Sequence, residues 1–346
     1  MKTGFRILQV AFTFMGTVVG AGFATGQEIF QFFTKYGGVA VLTIAAATVL
    51  FVWLGTKMML LSHQIKAKSY EDFNKHLFGE KIGTWVSTFN LLILFSATSV
   101  MLAGGGSIFE EHLGFSYQAG LAITLTLAYF VILRGMDGIL AVNSFVVPCM
   151  LLFTMLVVMN VADEPTAANW ISLPNQIDPI KAWIAPLLYA AFNLATSQAV
   201  LVPLGSKIQD RNVVLWGGRL GGLGIGIMLM AGHFAIAAYD PAIRDYEIPM
   251  GYIAGGLGEL VQTLFLFMIY AEIFTTYIAD VYGASLQLEQ RTKLSPSKIL
   301  IVMLISSYVI SQFGFKALLS TLYPLFGCIS LFWLVMLWNK RSSRVV

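Results

Sequence analysis

Ten stretches of mainly apolar residues follow one another along the chain, at roughly 7–34, 38–62, 82–106, 117–133, 138–160, 180–204, 212–238, 250–283, 297–315 and 317–339. A helix needs about 20 such residues to cross the hydrocarbon of a bilayer. Inside lipid every backbone N–H and C=O must be satisfied within the protein, so each stretch is expected to be helical. Composition removes the alternatives. Hydrophobic residues make up 57% and charged residues 11%, where soluble domains carry about 25% charged residues. A large soluble enzyme is therefore excluded. The net charge of +3 is too small, and too broken up by apolar runs, to suggest a nucleic-acid partner. Cys149 and Cys328 lie inside apolar runs, which argues against a disulfide framework. The first stretch is too long, and too interrupted by glycines and polar residues, for a cleaved signal peptide.

Lys and Arg set the orientation. With the N-terminus inside, 17 of the 21 basic residues fall on the inner side, and only Lys35, Lys181, Arg244 and Lys316 fall outside. The chain thus reads as a multi-pass protein of the cell membrane with both termini cytoplasmic. Its longest polar segments are the inner 62–81, read as a solvated amphipathic linker with a gate or a partner surface as the alternatives, and the outer 162–181. The second divides the spans five and five, giving a first repeat at 1–165, an extracellular connector at 166–179 and a second repeat at 180–346. Because five is odd, the halves run in opposite directions, as an inverted-repeat transporter requires. The expected fold is an all-α bundle of ten transmembrane helices in a 5+5 inverted repeat.

Three segments are too polar for plain spans. The first reads Gly16-Thr-Val-Val-Gly20-Ala-Gly22-Phe-Ala-Thr25-Gly26-Gln27-Glu28. Each glycine costs up to about 1 kcal/mol against alanine in a helix, and such a segment survives where it lines a cavity or packs closely. Gly16/Gly20 and Gly22/Gly26 also fit helix packing, but packing does not account for Gln27 and Glu28. The corresponding place in the second half is Tyr189-Ala-Ala-Phe192-Asn193-Leu-Ala-Thr196-Ser197-Gln198. No glycine marks a break there, and a continuous helix with side chains bonded to its own carbonyls competes with unwinding. The eighth stretch holds Glu272, Thr275, Thr276 and Asp280 near one helix face. Adjacent threonine hydroxyls, with a carbonyl one turn earlier, form a half-shell of hard oxygens suited to Na⁺. Intramembrane carboxylates usually mark an ion path, although Asp280 lies near the cytoplasmic end, where water can reach it.

The run Gly16 to Phe23, followed by Lys35-Tyr-Gly-Gly38, resembles the first helix of the neurotransmitter:sodium symporters, LeuT-fold members of the amino acid–polyamine–organocation superfamily. Val19-Gly-Ala-Gly-Phe23 also resembles the small-residue motif of amino acid permeases, and the whole-chain pattern resembles the YkvI-type bacterial membrane proteins. The resemblance implies a LeuT fold with helices 1 and 6 discontinuous. It implies that backbone N–H groups of Ala21, Gly22 and Phe23 hold a substrate carboxylate. It further implies a Na⁺ site made of the Gly16, Val19 and Glu272 carbonyls and the Thr275 and Thr276 hydroxyls. Phe23 stands where some relatives have a sodium-binding Asn, so their second sodium site is not expected. The fifth stretch has no Lys, which argues against the proton-coupled variant that places one in the sodium position.

These features point to a Na⁺-coupled secondary transporter of a small zwitterion, an amino acid foremost, working by alternating access. Tyr189, Phe192, Asn193, Thr196 and Ser197, with Asn90 or Ser96, would set side-chain selectivity, and Gln27, Glu28 and Asp280 coupling or gating. The alternative is proton coupling through Glu28 or Glu272. A channel fits interrupted helices at symmetric positions less well. A membrane enzyme lacks support: the four histidines form no metal-binding pair, and Gly221-Gly-Leu-Gly-Ile-Gly226 has no strand before it. No organic cofactor is expected.

Overall fold

The computed structural model describes residues 2–111, 114–171, 173, 179–244, 249–313, 326 and 330–339. Much of the tenth stretch, with Lys316, Cys328, Lys340, Arg341 and Arg344, lies outside the described residues, as does most of the 172–178 segment. Every element described is helical. The interrupted first stretch forms α1 (Lys2–Val18), α2 (Ala21–Ala24) and α3 (Gln27–Phe32). The second forms α4 (Ala40–Leu50) and α5 (Thr56–Ile65), joined through a π-bulge at Phe51–Gly55. There follow α6 (Tyr70–Phe78), α7 (Glu80–Glu111), α8 (Tyr117–Ile132), α9 (Met136–Ala162) and α10 (Pro179–Lys207). The chain continues through α11 (Arg211–Ala238), α12 (Pro249–Gly255), α13 (Glu259–Arg291), α14 (Pro296–Ser311) and α15 (Ser330–Asn339).

Six helical stretches among the described residues are long and apolar enough to cross a membrane, and three shorter apolar helices accompany them. With the interrupted first segment they follow the ten expected stretches in order. Many hydroxyls inside these helices bond to the helix's own backbone. Thr13, Thr17, Thr48, Thr126 and Thr154 each donate to the carbonyl four residues back, the usual solution where no water is at hand. Side chains such as Phe145 (73% exposed) and Leu152 (63%) face outward from α9, where lipid tails would cover them.

The centre of the bundle is the pair α1–α11. The glycines of α11 are a packing stripe: a methyl on Gly221 would lie 2.7 Å from Cδ1 of Phe14, and one on Gly222 would lie 2.6 Å from the backbone of Val52. Small residues let backbones approach in this way.

Four expectations need correction. The sixth span is not broken: α10 runs unbroken from Pro179 to Lys207, and its polar side chains bond to the helix's own carbonyls. The third span, expected at 82–106, runs on as α7 to Glu111, with Gly106 packed on the ring of Tyr117. The eighth span starts at Glu259 rather than 250, after Gly258 at φ 94° separates it from α12, a conformation that favours glycine. Finally, 62–81 is no solvated linker. Ser69 caps α6 by accepting from the N–H of Glu71 at 3.1 Å, and Tyr70, Phe73 and Asn74 of that helix are fully buried.

Candidate functional site

Helix α1 stops where its glycines cluster. Val19 N–H still donates to Met15, but beyond it Phe23 and Ala24 both donate to the carbonyl of Gly20. Among the described residues no backbone amide donates to the carbonyls of Gly16 or Val19. The chain then turns through Gly26 at φ 85° into α3. With Phe23 and Ala24 both turned to Gly20, the carbonyls of Gly16 and Val19 are left without a backbone amide beside the break.

Helix α13 lies across that opening. The hydroxyl of Thr275 donates to the Glu272 carbonyl at 2.9 Å, and that of Thr276 lies 3.1 Å from the same carbonyl and 3.4 Å from the carbonyl of Val19. The absence of a side chain on Gly20 permits this approach: a Cβ there would sit 3.3 Å from Thr276 Oγ1. The structure therefore brings Val19, Glu272, Thr275 and Thr276 together, with Gly16 one turn earlier in α1. These are all neutral oxygens from carbonyls and hydroxyls, a donor set suited to a hard monovalent cation.

The Glu272 side chain points elsewhere. Neither carboxylate oxygen has a partner among the described residues, and the residue is fully buried. It lines a cavity of about 20 Å³ together with Phe23, Ile29, Met150, Phe153, Met228 and Met268, with room for about one water. Asp280, two turns further along α13, is 4% exposed, so the expectation that it is wetted at the helix end is not met.

Glu28 folds back over the break. Its side chain lies against Gly22 so closely that a Cβ on Gly22 would come within 2.7 Å of Cδ of the carboxyl. Oε2 of Glu28 is buried without a hydrogen-bond partner among the described residues. The chain's own carboxyl thus fills the space beside Gly22, where the resemblance places a substrate carboxylate. Phe23 is buried on the cavity side, and Gln27 is half-buried beside the break.

The α10 residues take more structural positions than their chemistry suggests. Asn193 Nδ2 donates to Tyr189, Thr196 to Phe192 and Asn193, Ser197 to Asn193, and Gln198 Nε2 to Ala195. Tyr189 is buried among the rings of Phe32, Phe33 and Phe51, at centroid distances of 5.3, 5.2 and 5.9 Å. Phe192 is half-buried. Asn90 reaches from α7 to the Ala195 carbonyl at 3.3 Å, whereas Ser96 is half-buried and bonded to its own helix.

Two clusters were not legible in the sequence. Thr34 bonds His233 Nδ1 at 3.0 Å where the first stretch meets α11, and both are buried. At the end of α13 Arg291 donates to Glu71 at 2.6 Å and to Thr88 at 2.7 Å. Gln287 donates to Glu71 at 3.2 Å and to the Ser87 carbonyl at 3.0 Å, and Trp333 Nε1 donates to Asn74 at 2.8 Å. Helix α6 is thereby tied to α7, α13 and α15. Burial works to raise the Glu71 carboxyl, but its bonds with Arg291 and Lys75 hold it below the ordinary glutamate value. This tie therefore holds at neutral pH and is lost only on acidification through that lowered value. Arg291→Ala leaves a largely buried carboxylate short of its partner, at a cost of about 1–3 kcal/mol. The expected outcome is a lower melting temperature, with clear coupling to Glu71→Gln in a double-mutant cycle.

With this geometry in view, the relatives are informative. No family model matches the sequence. The uncharacterised membrane protein YkvI of Bacillus subtilis is 38% identical over 340 residues, covering 97% of this chain and 96% of its own. The chain belongs to the YkvI family. A sodium/pantothenate symporter of Haemophilus influenzae is 32% identical over 117 residues, 32% of this chain and 24% of its own. Among solved structures, MhsT in complex with L-phenylalanine superposes with a TM-score of 0.72 at 14% identity, covering 93% of this chain and 87% of that one. A Na⁺-coupled sialic acid symporter gives 0.71 at 10% identity, covering 95% and 78%. The fold of this YkvI-family protein is the LeuT fold. Its long apolar helices and its whole-length relative mark it as a membrane protein.

Proposed function

We propose that this YkvI-family protein is a Na⁺-coupled symporter of a small zwitterionic solute, foremost an amino acid, and that it works by alternating access. One observation carries the reading. The Val19 carbonyl beside the glycine break of α1 lies 3.4 Å from the Thr276 hydroxyl of α13, which also reaches the Glu272 carbonyl to which Thr275 donates. A cation held there would join the two helices, and its release would let them part. The sodium-coupled relatives named above support this reading.

In the same reading the backbone around Ala21, Gly22 and Phe23 receives the solute's carboxylate, which displaces the Glu28 carboxyl lying against Gly22. Glu28, with Gln27 beside it, is then the gate that the solute must move. Asn193, Thr196 and Ser197 contribute through the shape of α10, with Tyr189 and Phe192 at its edge. Residues 1–165 and 180–346 are the two repeats about the 166–179 connector, in the plasma membrane with both termini cytoplasmic.

A thermal-shift screen of the detergent-purified protein tests this. It covers the amino acids in NaCl and in choline chloride, because ligands that bind only the folded state raise its melting temperature. A shift for one amino acid class that needs Na⁺ is expected, and no shift in either salt would count against the reading.

Proton coupling is the second reading, favoured by buried, unpartnered carboxyl oxygens on Glu28 and Glu272. Asp280 would lie on the same path. In that case uptake follows the pH gradient at fixed Na⁺, and Glu28→Gln or Glu272→Gln abolishes accumulation while leaving Na⁺ without effect.

A further inference from the structure

Asn143 lies two turns into α9 and is fully buried. Its Nδ2 donates to the Ile139 carbonyl at 3.0 Å, which settles which way the amide faces. That leaves Oδ1 buried with no partner among the described residues. A buried acceptor left unmade is costly, and a position in the membrane offers no bulk water to relieve it. Oδ1 points at the Cα of Gly16, so closely that any side chain there would overlap it, and Val147 closes the neighbouring side. Gly16 is also the residue whose carbonyl is left open where α1 ends.

We propose that Asn143 Oδ1 is a further ligand of the coupling cation, contributed by α9. This rests on the sodium reading above and extends it from two helices to three. The chemistry is consistent: an amide oxygen is neutral and hard, like the carbonyls and hydroxyls it would join. The geometry explains Gly16 twice over, since its carbonyl is a ligand and its missing side chain admits the amide. A weak Cα–H···O contact would account for the packing, but it would not account for an amide whose N–H is satisfied while its oxygen is left bare. In function, a cation so held ties α9 to α1 and α13 only while it is bound.

The test is a Na⁺ titration of the purified full-length protein, with choline chloride holding ionic strength constant and the melting temperature as the readout. The wild type is compared with Asn143→Ala, Gly16→Ala and Thr276→Ala. Removing one of several ligands is expected to raise the half-saturating Na⁺ about tenfold in Asn143→Ala. Gly16→Ala, which pushes the amide off its position, is expected to do the same. The double variant should be no worse than either single one, because both remove one interaction. Wild-type Na⁺ affinity in Asn143→Ala, with Thr276→Ala weakened, overturns the proposal and leaves the sodium site standing. Wild-type affinity in Thr276→Ala as well, or no Na⁺ response in the wild type, overturns the sodium reading itself. Should Asn143→Ala fail to fold, Gly16→Ala decides alone, and unchanged affinity there also overturns the proposal.

Discussion

Thr276→Ala raises the Na⁺ concentration needed for half-maximal uptake by ten- to a hundredfold, if the contact between α1 and α13 holds the coupling ion. The hydroxyl of Thr276 lies 3.4 Å from the Val19 carbonyl on α1 and 3.1 Å from the Glu272 carbonyl on its own helix. Removing it deletes a ligand and leaves the two carbonyls without the group that bridges them. A loss of about 1.4–2.8 kcal/mol corresponds to that range of concentrations. The maximal rate at saturating Na⁺ should change much less, because the solute's own contacts are untouched. Thr276→Ser retains the hydroxyl and should stay close to wild type. Na⁺-dependent uptake of the amino acid found by the thermal-shift screen checks this directly, and unchanged Na⁺ activation in Thr276→Ala would sink the assignment.

The second large effect is expected at Gly22. A leucine there has nowhere to go, since even a Cβ would meet Cγ of Glu28 at 2.6 Å and Cδ at 2.7 Å. Glu28 must leave, and the bulk of the new side chain then blocks the backbone N–H groups at the break. Solute binding in Gly22→Leu should fall below detection, while the Na⁺-dependent melting shift remains. That pairing of results separates a blocked solute seat from general unfolding, since overpacking itself costs about 1–3 kcal/mol. Normal solute binding would mean that the break in α1 serves helix packing alone.

Between the two sites sits Glu28. A carboxyl of the chain resting where a solute carboxylate is expected makes binding a displacement. Two like charges cannot share that space at low dielectric. Glu28→Gln is the variant that separates the sodium and proton readings, because it removes the charge and retains the shape.

The sequence by itself determined the class of fold and the positions of the break and the threonine pair. Apolar stretches of bilayer length dictate helices, since lipid offers no other partner for the backbone. Glycines clustered at Gly16–Gly26 and hydroxyls at Thr275–Thr276 carry their chemistry locally, so each half of the cation site is legible before any contact is known. Residues whose meaning depends on a distant partner were not legible. Asn193, Thr196 and Ser197 fit both a ligand set and a self-bonded helix by sequence, and the structure takes the second, each bonding to a carbonyl of α10 itself. Asn143 looks like one stray amide in an apolar run until α9 is packed on α1 and its oxygen meets Gly16. The 62–81 segment has the amphipathic pattern of a solvated helix, and pattern alone does not say whether water or protein meets its apolar face. Only the tertiary structure set Tyr70 and Phe73 inside and put Glu71 against Arg291. Periodicity and residue type report what a segment can bury or donate; which group receives it is decided by packing between helices far apart in the chain.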